Sequence, residues 1–479
     1  MLSYLKSKLS VEPVVFMYFL TMVFSNSLST NLLLYKACDP SGAISQRVGA
    51  GCDHETDAQH VVAPINGWKG LVQQVVPTVL ALFAGTWSDR HGRSRRPLML
   101  LPIIGQILSD LLSVYCTVNW SMSPWLTAVF QVTAVTVTGG PPMLFNGVYS
   151  YIADTTTEEW RTVKFGMVTC VMAVGGILGM LIYGYVVVML GFVSAYFVSI
   201  ALGITALAMA FVFIKNTGIP YDKEPLFQDV IHTVNPVSVL RTCYQVMTKR
   251  RTGHTSLVLW LVVVLCAPFT CVPLDGEISV MYLFMRYKFH WNEVDFSIFN
   301  AYQMVIILGG TIFSLSILSH KLGWNDALIG LIASVFDLLA SLSFFLASKS
   351  WHLYLVPPLE LFRGAGMSIT SSIASKCVGP DELGAMNSVR ILIESSMKGV
   401  FLPIYSMCYN TTLEIMPSAF FVISSCLTAP LIIIFSVIYF LNRNSNKSVI
   451  ELNINSNTIS KPKSEQSPIN DGDIINYHI

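Results

Sequence analysis

An all-α polytopic membrane protein, with twelve transmembrane helices in two six-helix halves, is the fold class the sequence predicts, on three observations. Hydrophobic residues fill 53% of the 479 positions and charged residues only 12%, with a mean hydropathy of +0.59; soluble cores of ordinary size cannot hide so much apolar surface. Uninterrupted apolar stretches recur at the length of roughly 20 residues that crosses a bilayer as a helix, among them VVFMYFLTMVFSNSLSTNLLLY (14–35), VSAYFVSIALGITALAMAFVFI (193–214), SLVLWLVVVLCAPFTCV (256–272) and AFFVISSCLTAPLIIIFSVIYFL (419–441). A single long polar stretch, 215–254, divides these segments six and six.

In chain order the spans are expected near 12–35, 67–88, 97–118, 124–152, 162–189, 192–214, 255–284, 294–318, 324–347, 352–376, 383–408 and 417–441. The opening MLSYLKSKLSVEP leads into a run too long for a signal-peptide core and lacks a small-residue cleavage site. The organisation is therefore an N-terminal half (1–214), a central loop (215–254) rich in Pro, Lys and Arg, a C-terminal half (255–441) and a disordered tail (442–479) rich in Asn, Ser and Lys. Two six-span halves joined by a long loop are a transporter layout, although no residue-level repeat links them.

Charge placement orients this array. Lys6 and Lys8, the GTWSDRHGRSRRP turn (85–97), 153–164, the central loop, 319–323 and the tail with Arg443 and Lys447 all fall on one side, whereas 119–123 and 190–191 carry no cation. Cytoplasmic flanks collect Lys and Arg, so both termini are expected in the cytosol. A net charge of +1 with no extensive basic patch argues against a nucleic-acid partner. No Gly-rich phosphate loop, metal-spaced His and Cys cluster or nucleophile–base pattern is evident, so no cofactor, metal or enzymatic activity is expected.

The turn at 85–97 reads Gly85, Ser88, Asp89, Arg90, Gly92, Arg93 and then Arg95 and Arg96. This resembles the signature between the second and third spans of the major facilitator superfamily. Gly85 and Gly92 permit close helix approach and a tight turn, and Asp89 can accept charge-assisted bonds in one conformation and release them in another. A plain positive-inside anchor would need no spaced Gly-Asp-Gly. With VEPVVFMYFLTMVFSNSLSTNLLLY (11–35), YIADTTTEEWRTVKFG (151–166), HWNEV (290–294) and SKCVGPDELGAMNSV (375–389), the chain resembles the proton-coupled folate transporter family, the forty-sixth solute carrier family. That resemblance implies the twelve-helix major facilitator fold and secondary transport by alternating access, in a plasma or lysosomal membrane. It also places Asp154 on a family aspartate with a gating or structural role.

Departures from the family are specific. The folate carrier's functional carboxylates would fall on Gly140 and Thr169, its histidine on Pro273 and its tenth-span arginine on Ser371, so the resemblance does not carry folate with it. The family's outer-loop cysteine bridge lacks its second partner, since His290 stands there, which leaves Cys52 to pair with Cys38 in the first external loop.

Ionisable groups inside spans are the candidates for solute and proton handling. Asp275 and Glu277 follow a segment in which Pro268, Pro273 and Gly276 are expected to break the helix, with Glu277 the more inward; the alternative puts both at the outer mouth. Arg390, Glu394 and Lys398, spaced by four, share one face, as a salt-bridge ladder or as an anion receptor. Arg363 with Glu360 poses the same choice. Asn26, Asn31, Asn146, Asn300 and Gln303 are neutral hydrogen-bonding candidates, more often glue between helices, and Asp110 and Asp337 are read as structural. Glu277 or Glu394 is the expected proton-coupling acid, because loss of water favours the neutral carboxyl. The expected function is secondary transport of a small organic, anionic solute, driven by its own gradient or by protons, with a non-transporting receptor or scaffold of the same fold as the alternative.

Overall fold

The computed structural model describes residues 11–39, 52, 54–90, 94–156, 158–215, 241, 244–251, 254–379 and 382–459. Its described residues form helices and turns. The first group comprises α1 (Glu12–Cys38), α2 (Glu55–Arg90), α3 (Arg96–Val118), α4 (Pro124–Val137), α5 (Gly140–Thr155) and α6 (Glu158–Phe213). The second comprises α7 (Thr255–Trp260), α8 (Ala267–Phe289), α9 (Glu293–Phe313), α10 (Asp326–Leu346), α11 (Ser350–Tyr354), α12 (Arg363–Lys376), α13 (Leu383–Thr412) and α14 (Phe420–Ile459). Among the described residues, eight stretches are long and apolar enough to cross a membrane, 124–155 being one and 164–213 another. The last of these carries two expected spans end to end, joined at Gly191 with φ 75° and ψ 174°. α2 and α13 are not among those eight.

Sequence explains the irregular joints. Gly139 and Gly140 adopt φ of +81° and +43° between α4 and α5. Pro141 and Pro142 follow directly, and a proline disfavours the right-handed helical region for the residue before it. Only glycine enters the left-handed region without strain. The break expected around Pro268 and Pro273 lies earlier than those residues: Leu261–Cys266 is a π-helical turn, and α8 then runs unbroken through Pro273 and Gly276. Widening the turn before Pro268 moves carbonyls that its ring would otherwise strike.

Two other expectations differ from the structure. α2 begins at Glu55 rather than near 67, and α14 continues to Ile459 although the tail was expected to lose structure at Asn442. A helix already nucleated by an apolar span propagates into a polar sequence far more readily than it starts there. Most of 215–254, and 460–479, lie outside the described residues.

Two ends of the bundle can be named from what they carry. The turn end holds residues 85–90 and 94–97, and the loop end holds the Cys38–Cys52 disulfide, whose Cα atoms are 5.8 Å apart. An aromatic core of Phe284, Phe344, Phe420 and Phe421, with Tyr405 and Tyr409, fills the loop end of the second group. In the first group, Gly175 and Gly179 let α6 lie against α1, where a Cβ on Gly175 would sit 2.7 Å from the Phe16 carbonyl oxygen.

Candidate translocation site and gates

At the turn end, Arg95 Nε donates to Asp154 Oδ2 (2.8 Å) and its Nη1 to Ser88 Oγ (3.0 Å), joining the start of α3 to α2 and α5. A Cβ on Gly85 would lie 2.9 Å from Asn146 Nδ2, and that amide donates to the Ala81 carbonyl (2.8 Å). Asn146 therefore bonds α5 to α2. Gly92 and Arg93 lie outside the described residues, as do the side chains of Asp89 and Arg90. On the second group, Lys249 pairs with Glu382, and Arg251 Nη2 donates to the same carboxylate (2.9 Å). Those two hydrogen bonds hold the Glu382 carboxyl below the usual glutamate range.

The loop end is tied across the two groups. Arg286 on α8 donates through Nε to Glu55 of α2 (3.2 Å) and through Nη1 to Glu293 of α9 (2.8 Å), while its guanidinium sits over the Tyr35 ring. The Tyr35 hydroxyl donates to Glu293 (3.1 Å), and the Tyr282 hydroxyl to Asn31 Oδ1 (2.9 Å). Tyr409 donates to Gln59, and His60 Nδ1 lies 2.7 Å from Asn410 Oδ1. Ser297 of α9 packs against Gly184 of α6. The HWNEV stretch has a local reason: Asn292 caps α9 in a reciprocal capping box with Asp295, which fixes where Glu293 enters the seam. Sequence reading missed Arg286, Glu55 and Glu293, because each sits near a span boundary, where charge is ordinary.

Deeper in the second group, one arginine meets three acids. Arg363 donates through Nη2 to Glu277 (2.7 Å) and through Nη1 to Glu360, while its Nε lies 3.1 Å from Asp337 Oδ1 without hydrogen-bond geometry. All four side chains are 7% exposed or less. Gln303 donates to the other oxygen of Glu360 (2.6 Å), and Ser341 lies 3.4 Å from Glu277. The proline pair at 357–358 opens a 3-10 turn, Pro357–Phe362, which sets Glu360 three residues before Arg363. Asp337 thus belongs to the cluster.

A second set of ions is more open. Arg390 Nη1 donates to Glu394 (2.7 Å) along α13, but Lys398 crosses to Asp275 on α8 (2.7 Å) instead of extending the ladder. Asp275 is 31% exposed, whereas Glu277 is sealed. Two residues apart on a regular helix, the two acids look in different directions. In the first group Asp110 accepts from Ser25, Ser199 and Gln106.

This arrangement, an all-helical bundle with ions sealed between helices and a charged Gly-Asp-Gly turn, is that of a multi-pass membrane protein of a known class. The profile of the Major Facilitator Superfamily matches residues 14–403, and the chain belongs to that superfamily. The chain is 24% identical over 441 residues to the probable peptidoglycan muropeptide transporter SLC46 of Drosophila melanogaster, covering 87% of this chain and 83% of the relative. It is 23% identical over 422 residues to the proton-coupled folate transporter of Bos taurus, covering 85% and 86%. Its fold matches the crystal structure of a peptide transporter POT in complex with alafosfalin, with a TM-score of 0.64, 11% identity and coverage of 92% and 99%.

Proposed function

We propose that this chain is a secondary transporter that carries a small organic anion across a membrane by alternating access and couples that movement to protons. The observation that carries the proposal is the charge count around Arg363. If all three acids were ionised, the cluster would hold two net negative charges away from water, which is prohibitively unfavourable. Carboxyls crowded together share protons instead, and this makes the cluster around Arg363 the proton-handling group of this reading. A change in the partners of Arg363 alters which acid keeps its proton, and that is the link a symporter needs.

The solute is taken up along the α8–α13 wall, where Asp275–Lys398 and Arg390–Glu394 are partly exposed and able to exchange partners. The Arg286 seam closes the path at the loop end, and the Asp89 turn with the Arg95–Asp154 pair serves as the latch at the turn end. The basic turn end faces the cytosol, in a plasma or lysosomal membrane. Relatives named as transporters of folate and of muropeptides support a small solute as cargo, while Gly140, Thr169, Pro273 and Ser371 stand where the folate carrier has charged groups and set folate apart.

The test is uptake into proteoliposomes of a panel of radiolabelled mono- and dicarboxylates, with and without an inward proton gradient. Gradient-driven accumulation is expected, with Glu277→Gln or Glu360→Gln retaining exchange but losing accumulation. Uptake indifferent to the gradient would remove proton coupling, and no uptake of any member would favour the receptor or scaffold alternative.

A further inference from the structure

The first group of helices buries a cation for which the described residues supply no anion. Lys69 lies about four turns into α2, 7% exposed. Its Nζ donates to Ser29 Oγ on α1 (2.8 Å) and to Gln131 Oε1 on α4 (3.1 Å), both neutral acceptors, and no described carboxylate pairs with it. The contrast with Lys36 is instructive. That lysine also pairs with no acid among the described residues, but it spends all three protons on the carbonyls of Asn119, Trp120 and Met122. As an ammonium, Lys69 has one proton that Ser29 and Gln131 do not take.

A second donor waits beside it. Asn66 precedes Lys69 by three residues, on the same face of α2. It too is 7% exposed, and its Nδ2 has no partner among the described residues. A buried ammonium and a buried amide with unspent protons are each unfavourable unless something accepts from them. Among the second group's ions, Arg286, Arg363, Arg390 and Lys398 each already face an acid, and the Arg363 cluster is rich in negative charge. An anion entering between the two groups finds its uncompensated partner on the first.

We propose that Lys69, with Asn66, is an anion-binding point on the translocation path, taking a carboxylate or a comparably small anion. Ser29 and Gln131 hold the ammonium in place, and the anion accepts charge-assisted bonds from Lys69 Nζ and Asn66 Nδ2. Its use in carrying a solute rests on the transport reading above, whereas its chemistry does not. The anion is the solute's own carboxylate or a free inorganic ion.

The test is thermal unfolding of the purified full-length protein titrated with acetate, sulfate or chloride, using HEPES as the replacement anion at fixed ionic strength. A ligand that binds only the folded state raises Tm with its concentration. At least one anion should stabilise the wild type, with apparent affinity falling tenfold or more in Lys69→Met, falling less in Asn66→Leu, and staying within about threefold in Lys69→Arg, which keeps the charge. Stabilisation by acetate alone identifies the solute's carboxylate as the source; stabilisation by chloride or sulfate identifies a free ion. The proposal is overturned if no anion stabilises the wild type, or if the response survives in Lys69→Met. Should Lys69→Met fail to fold, Lys69→Gln is titrated in its place under the same criteria. No uptake is measured, so a failed transport assay and a failed titration remain separate results.

Discussion

Arg363 touches three acids, and its loss should be worse than the loss of any one of them. Arg363→Met leaves Glu277, Asp337 and Glu360 together without a cation. Breaking a buried ion pair from one side costs about 3–5 kcal/mol, so this variant should show a clear fall in Tm, partly restored when Glu360→Gln is added. A variant melting like the wild type would mean that the cluster is not ionic. At the other end, Asp89→Asn removes only a charge and keeps the shape, so it should slow uptake at unchanged surface abundance; unchanged kinetics would discard the latch. Cys38 and Cys52 should appear as one cross-linked peptide when unreduced digests are read by mass spectrometry. Alkylation of both cysteines would refute that bond.

At the scale of elements, the glycine joint between α4 and α5 offers a test of backbone strain. Gly139→Ala would hold a side chain at φ +81°, with its Cβ against Met143, and should cost about 1–3 kcal/mol. A Tm equal to wild type would show that the joint relaxes freely. The elements were the most legible part of the sequence, because twenty-residue apolar runs and their polar breaks report burial in lipid directly. Legibility failed where a charge finds its partner far away. Glu55 lies outside the span expected at 67–88, yet it belongs to α2 and is paired across helices with Arg286. Pairs within one helix, Arg390 with Glu394 and Glu360 with Arg363, could be read from spacing of four and three. Pairs across helices, Lys398 with Asp275 and Arg363 with Asp337, could not, since a single sequence carries no register between distant spans. Asp337 is read as structural from the sequence because the resembling fold places the ninth span at its periphery, and that placement does not reveal Arg363 beside it.

For the molecule as a whole, the loop-end seam joins the two groups of helices through Arg286, Glu55 and Glu293. Glu55→Gln weakens the Arg286 contact that bridges α2 and α8, and a hydrogen bond to a charged group contributes about 1.5–3 kcal/mol. Every 1.4 kcal/mol shifts a two-state balance about tenfold, so the loop end should open more often. The readout is a cysteine at Ser297, facing Gly184, labelled by a membrane-impermeant maleimide. Labelling should be faster in Glu55→Gln than in the parent, and equal rates would assign closure to packing alone.

The Arg363 cluster also has a mechanical consequence. One flat guanidinium grips α8 through Glu277, α10 through Asp337 and the turn before α12 through Glu360. Helices pinned at a common rivet cannot slide past one another without breaking it, so these three must swing as one block. Bending is then confined to the seam between the groups, where Gly67 and Gly70 of α2 run against Pro403 and Leu402 of α13. Neutralising any one of the three carboxyls would weaken one of those grips and leave the other two in place.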